Sequence, residues 1–292
     1  MAIGETLGRH GSHITVAAAI AGQGIVTLLR GPDPVFALYA ALIAGSVWAW
    51  HGRATQRASV IDGSMVQALT WDIHVKRRPA PSESELYREM TARMELTGRH
   101  VRASIGSHGL ERVTMATSSE LGGYSDARST RYRARGHLWL GMRWFSPKHT
   151  CHLPAVLEHE LAHLARRDTG KRVVVETAAV TATALAAGLL PTGSFALAAL
   201  SAWLLTTLYH WWVEVACDLR AVRACGRQAV AELWRADLVL DRSRPLAFRI
   251  WGTLRALRTH PPLRLRVFCA VHTPLPASLA PTAHPLRAPA AG

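Results

Sequence analysis

Four apolar blocks set the pattern of this chain. Ile14 to Leu29 is apolar apart from small residues and Gln23, and Arg30 closes it. Pro34 to Trp50 follows after the short turn Arg30-Gly31-Pro32-Asp33. Val173 to Leu190 and Phe195 to Val213 form a second pair around Pro191-Thr192-Gly193-Ser194. Each block runs about 16 to 20 residues, the short end of what crosses a bilayer core as a helix. Four such blocks in two tight hairpins exceed what a chain of 292 residues buries in its own core. They are expected to be transmembrane helices. The first block has no A-x-A-like exit and a second follows at once, so it does not read as a cleaved signal peptide.

Between the hairpins the pattern changes. Ser82 to Thr97 has helical periodicity, with Pro81 and an acidic first turn before it and Gly98 to end it. Strand-like runs follow at Val101 to Ile105, Arg112 to Ala116 and His137 to Phe145. The last run, left exposed, could hold an extended peptide by backbone pairing. Pro154 opens a helix whose apolar stripe is Ala155, Val156, Leu157, Leu161, Ala162 and Leu164. Arg166 to Gly170 offers that helix an end, with cations and a glycine to stop it. Further helical patterns run through Val230 to Leu240 and Leu246 to Leu257, and Thr273 to Gly292 reads as a disordered Pro/Ala-rich tail. The expected fold is mainly α: a polytopic membrane protein with four transmembrane helices and a cytosolic α+β domain containing a small sheet. The expected division is a transmembrane hairpin at 1–50, a catalytic domain at 51–272 that includes a second hairpin at 173–213, and the tail at 273–292.

Charge orients the hairpins. The formal net charge is +14, and Lys76, Lys148 and Lys171 are the only lysines, so arginine carries it. Arg53, Arg57, Lys76, Arg77 and Arg78 follow the second block, and Arg166, Arg167, Lys171 and Arg172 precede the third, whereas Pro191 to Ser194 has no charge. Positive ends stay in the cytoplasm. The protein is therefore expected in the plasma membrane, multi-pass, with the segment between the hairpins facing the cytoplasm. The Arg- and Ala-rich composition suggests a bacterial origin. Cys151, Cys217, Cys225 and Cys269 form no CxxC and read as reduced thiols. Glu176 lies one turn inside the third block and is expected to reach water or pair with Arg172. The basic balance suits anionic lipid headgroups; no nucleic-acid motif is present, and none is expected as a partner.

Candidate chemistry sits at His159-Glu160-Leu161-Ala162-His163. Residues four apart share one helix face, so His159 and His163 can aim two imidazoles at a single ion. Glu160 beside them can take a proton from water. A catalytic zinc usually takes three protein ligands. Glu214 is the best third ligand. Leu161 to Pro191 is 30 residues, roughly 45 Å of helix, and Pro191 to Glu214 is 23, roughly 35 Å, so the hairpin returns Glu214 close to the histidines. Asp218, four residues on, shares its face and can accept a hydrogen bond from a ligand imidazole. His210 is on that face too and reads as an interfacial histidine. Cys217 points elsewhere and reads as packing.

These motifs, in this order, resemble the membrane zinc endopeptidases typified by the heat-shock protease HtpX and the CAAX prenyl endopeptidases. The resemblance rests on His159-Glu160-Leu161-Ala162-His163, on Glu214-Val215-Ala216-Cys217-Asp218, and on Thr259-His260-Pro261-Pro262 with Arg266 beyond it. Two apolar segments before HExxH and two between it and the glutamate match as well. The resemblance implies a zincin-like catalytic domain and one Zn(2+) per chain on His159, His163 and Glu214. It implies Glu160 as general base, Asp218 behind the ligands, His260 stabilising the oxyanion and Arg266 ordering the site. The Asn-Ala-Phe element that the family often carries on a strand before HExxH is missing; Ala116 to Ser119 and Tyr124 to Ala127 are poor substitutes.

The function expected is a membrane-embedded zinc-dependent endopeptidase that hydrolyses peptide bonds of membrane or cytosolic proteins, with a protein or peptide substrate and the bilayer as partners. Two rivals remain. One is a regulatory metalloprotease cleaving a repressor, as the similarity of His159 to Asp168 to BlaR-type sensors suggests. The other is a non-proteolytic membrane protein that binds a regulator. Metal content discriminates enzyme from binder.

Overall fold

A computed structural model describes residues 2–75, 81–118, 127–243 and 245–274. The expected tail, apart from its first two residues, lies outside the described residues, as do Lys76, Arg77, Arg78 and Tyr124 to Asp126. The elements are α1 (Ala2–Arg30), α2 (Pro34–Val75), α3 (Pro81–Ser104), β1 (Arg112–Ser118), β2 (Ala127–Tyr132), β3 (Arg135–Gly141), α4 (Leu153–Arg166), α5 (Asp168–Leu189), α6 (Thr192–Cys225), α7 (Arg227–Arg242), α8 (Leu246–Leu257) and α9 (Leu263–His272). The fold is mostly helical with one small sheet. Among the described residues α1, α2, α5 and α6 are long and apolar enough to cross a membrane, over Gly11–Arg30, Pro34–Val60, Asp168–Leu189 and Thr192–Cys225. The chain forms two compact units: Met1–Gln56 with Gly170–His210, and Arg57–Thr169 with Trp211–Gly292.

The first unit holds the apolar hairpins. Gly31 ends α1 at a positive φ of 85°, which a side chain would strain. Asp33 then caps α2, its Oδ1 accepting from the backbone N–H of Val35 at 2.9 Å and of Phe36 at 3.2 Å. Small residues let the helices approach: Ala37, Ala41, Ala44 and Ala184 are buried, and a Cβ at Gly188 would strike Ala37. Glu176 does not simply reach water. Its carboxylate lies 3.4 Å from His210 Nε2 and accepts from Trp48 Nε1 at 3.3 Å. An ionisable group among apolar helices needs such partners. His210 is thereby engaged by Glu176.

The second unit packs α3, α4, α7 and α9 with the sheet. Strand order is β1-β3-β2, with β1 parallel and β2 antiparallel to β3. Two sequence expectations change here. The helix α3 runs through Gly98 to Ser104, so the strand expected at Val101 to Ile105 is absent: Val101 to Ser104 is the helix's last turn and Ile105 a turn residue. Met90, Met94, Thr97 and Val101 recur at helical spacing, and Met90, Thr97 and Val101 are buried. That stripe outweighs the roughly 1 kcal/mol that a mid-helix glycine costs. The second change concerns His137 to Phe145. β3 ends at Gly141 and Met142–Phe145 turns as a 3-10 helix. β3 is also the central strand, hydrogen-bonded on both sides, and so has no free edge for a peptide; the edges are β1 and β2.

Candidate metal centre

Local structure brings the site together. Pro154 lies in the first turn of α4, where its missing N–H costs nothing. The helix ends at Arg167, not at Gly170, which lies inside α5. Arg167 takes the left-handed conformation at φ 59°, and its N–H bonds back to the carbonyls of His163 and Leu164. Arg131 on β2 donates to Leu164 O at 2.9 Å and satisfies that helix end further. The sharp turn at Arg167 returns Asp168 onto His163.

His159 and His163 are buried, with their Nε2 atoms 3.2 Å apart. Glu214 on α6 is 1% exposed; its Oε2 lies 3.4 Å from His159 Nε2 and its Oε1 3.4 Å from His163 Nε2. A tetrahedral ion at ~2.0–2.2 Å from each ligand needs donor atoms roughly 3.3–3.5 Å apart. The Nε2 pair at 3.2 Å, with a different Glu214 oxygen 3.4 Å from each, comes close to those separations, so the three residues could hold a metal.

The outer ring nitrogens are held from behind. Asp218 Oδ1 lies 2.9 Å from His159 Nδ1, and Arg266 donates to both Asp218 oxygens at 2.7 Å. This two-pronged pairing fixes the carboxylate plane. The Arg266 guanidinium also covers the Trp234 ring, 3.4 Å from its centroid, and approaches Glu214 Oε2 at 3.6 Å. Asp168 Oδ2 lies 3.0 Å from His163 Nδ1, and Arg166 Nε donates to Asp168 at 3.2 Å. Both carboxylates orient the rings so that Nε2 faces the shared position. Burial alone would strip a proton from His159, but the hydrogen bonds of Asp218 and Glu214 outweigh it and lift its pKa to about 9. Burial is likewise overcome at His163 by Asp168 and Glu214, and its pKa is raised. Arg266 is fully enclosed, and Asp218 overcomes the burial and keeps it charged.

Glu160 is held from β2. Ser129 on β2 lies 2.8 Å from Glu160 Oε2 and 3.0 Å from the Glu160 carbonyl, and its hydroxyl donates to them. His260 is half exposed. Its Nε2 lies 3.8 Å from Glu214 Oε2, and Thr259 Oγ1 is 2.8 Å from its Nδ1. All seven residues picked from the sequence therefore lie in the same unit, and six of them meet around the Glu214 carboxylate or its immediate partners.

Sequence reasoning missed Ser129 and Asp168. Nothing in Ala127-Arg128-Ser129-Thr130 marks the serine. Asp168 carried a signal, a carboxylate five residues after a ligand histidine, but it was absorbed into a helix end. Cys217 does not merely pack: its Sγ lies 3.3 Å from His163 Nδ1 and 3.4 Å from Asp168 Oδ2.

Residues 148–272 match the family model of Peptidase family M48. The match agrees with the resemblance to HtpX and the CAAX prenyl endopeptidases and supports a metalloprotease. The M48 segment contains His159, Glu160, His163, Glu214, Asp218, His260 and Arg266, and it leaves out β1 to β3 and α1 to α3. No curated protein and no solved structure matches the chain.

Proposed function

We propose that this protein is a membrane-embedded zinc-dependent endopeptidase, one Zn(2+) per chain, that hydrolyses peptide bonds of membrane or cytosolic proteins. The observation that carries the reading is the arrival of Glu214 at 3.4 Å from both Nε2 atoms of the HExxH pair, from a helix fifty-odd positions later. His159, His163 and Glu214 would hold the metal, which when bound would supply Lewis-acid polarisation of the scissile carbonyl and of the attacking water. Glu160 accepts the water's proton on its carboxylate and returns it to the leaving amine. His260, with Nδ1 engaged by Thr259, presents Nε2 to the developing oxyanion. Asp218, fixed by Arg266, and Asp168, fixed by Arg166, keep the two imidazoles in one tautomer. The catalytic residues belong to a domain at 51–272, in the plasma membrane with the site on the cytoplasmic side.

Metal content and casein cleavage of the purified full chain test this together. Glu160→Gln should keep about one zinc per chain and lose at least ~10²-fold in kcat. His159→Ala should lose both. A Glu160→Gln enzyme with unchanged turnover would sink the mechanism, and a wild-type chain without metal would sink the enzyme.

A further inference from the structure

The helix α8 turns its apolar residues outward. Leu246 is 66% exposed, Ile250 53%, Trp251 68% and Leu254 59%. At 100° per residue they share an arc of roughly 140°. Phe248 is exposed roughly 60° beyond it, and Gly252, Ala256 and Arg249 fill the opposite arc. A contiguous apolar surface of this kind has an occupant.

Two observations say which one. Trp211 donates its indole N–H to the Leu257 carbonyl at 2.7 Å. That bond ties the end of α8 to the level on α6 where the apolar block Phe195 to Val213 gives out. Arg166 stacks on Trp212 at the same level, 4.9 Å from the ring centroid. Tryptophan and arginine together mark a membrane–water interface. The second observation is charge. After Asp241 the chain has no acidic residue, while Arg242, Arg244, Arg249, Arg255, Arg258, Arg264 and Arg266 fall between there and His272. Of these, Arg266 is committed to Asp218; the stretch as a whole is basic in sequence.

We propose that α8 lies in the headgroup layer of the bilayer that the chain's own spans cross. Its apolar arc sits at the acyl boundary, and the neighbouring arginines meet anionic lipid phosphates. The turn carrying His260 begins right after α8, so lipid contact holds that turn at the membrane surface. The inference rests on the spans, and does not depend on the peptidase reading.

The test is spin labelling of the full chain in vesicles of phosphatidylcholine and phosphatidylglycerol. The background is Cys151→Ser with Cys269→Ser, because Cys217 and Cys225 are buried. Labels go to Ile250→Cys and Leu254→Cys on the apolar arc, to Ala256→Cys opposite, and to Leu204→Cys in α6. Collision with dissolved oxygen and with a water-soluble nickel chelate reads the surroundings. The expected result is oxygen-rich, nickel-poor collision at 250, 254 and 204, and a several-fold shift towards nickel at 256. Nickel collision at 250 and 254 equal to that at 256 puts α8 in water and overturns the proposal. Shielding of 250 and 254 from both reagents means a protein covers the face and overturns it equally. A nickel-exposed label at 204 removes the bilayer, and the proposal with it, whatever the metal content and casein cleavage of the same preparation.

Discussion

Each imidazole of the metal cluster leans on its own carboxylate, and the two carboxylates are not equally visible in sequence. Asp218 Oδ1 lies 2.9 Å from His159 Nδ1, and Asp168 Oδ2 lies 3.0 Å from His163 Nδ1. Groups placed so typically set metal affinity by ~10–100-fold. Asp168→Asn and Asp218→Asn should each weaken zinc binding by about that factor, measured by competition with a chromophoric chelator; an Asp168→Asn protein with wild-type affinity would remove Asp168 from the site. Asp218 was legible because Glu214 and Asp218 share a helix face. Asp168 was not, because its contact depends on Arg167 adopting a left-handed backbone, which nothing in Arg-Arg-Asp-Thr-Gly announces. Ser129 is a still plainer case. Its hydroxyl, 2.8 Å from Glu160 Oε2, comes from a strand thirty-one positions away. A hydrogen bond to a charged group contributes ~1.5–3 kcal/mol, so Ser129→Ala should lower kcat on casein about tenfold or more, with KM and zinc content held. A fall in zinc content instead would make the serine structural.

At the scale of elements, burial decided where periodicity left a choice. Val101 reads as a strand residue by type, yet it completes the buried stripe of α3 with Met90 and Thr97, and the helix continues through Gly98. β3 was legible as a strand, but its central place between β1 and β2 was not, because strand order follows from pairing partners that no local pattern encodes. That central place has a measurable consequence at His137. Burial, helped by Arg128, lowers its pKa, and Thr114 Oγ1 holds its Nδ1 at 2.8 Å. The unfolded chain takes up a proton near pH 6.5 while the folded chain resists it. The stabilisation is therefore present above about pH 6.5 and is lost as pH falls below it. In detergent, His137→Asn should melt below wild type at pH 7.5, and the gap should narrow at pH 5.5. A gap that stays constant across that range would show that His137 is equally protonated in both states.

On the scale of the whole molecule, the question is which side of the membrane the M48 segment occupies, and charge gives the sign. Arg53 and Arg57 follow the second apolar block, Arg166, Arg167, Lys171 and Arg172 surround the start of α5, and the turn at Pro191 to Ser194 carries none. Moving the arginine-rich ends across the bilayer is disfavoured, so the uncharged turn is expected to be the side that crosses. The four helices long and apolar enough to cross a membrane were legible because a bilayer needs length and apolarity, both local properties of the chain. The polar contact of Glu176 with His210 and Trp48 was not, because it depends on how α2, α5 and α6 face one another. Two thiols read the orientation directly. A Cβ added at Gly193 meets nothing within 4 Å, so Gly193→Cys places a probe in the turn without strain. Cys151 is exposed beside α4 and needs no substitution. In intact bacterial spheroplasts a membrane-impermeant maleimide should label Gly193→Cys in a Cys151→Ser background, and should label native Cys151 only after lysis. The reverse pattern would place the HExxH helix outside the cell, where substrates arrive from the envelope and not from the cytosol. Labelling of both thiols before lysis would mean that the second hairpin does not span the membrane at all.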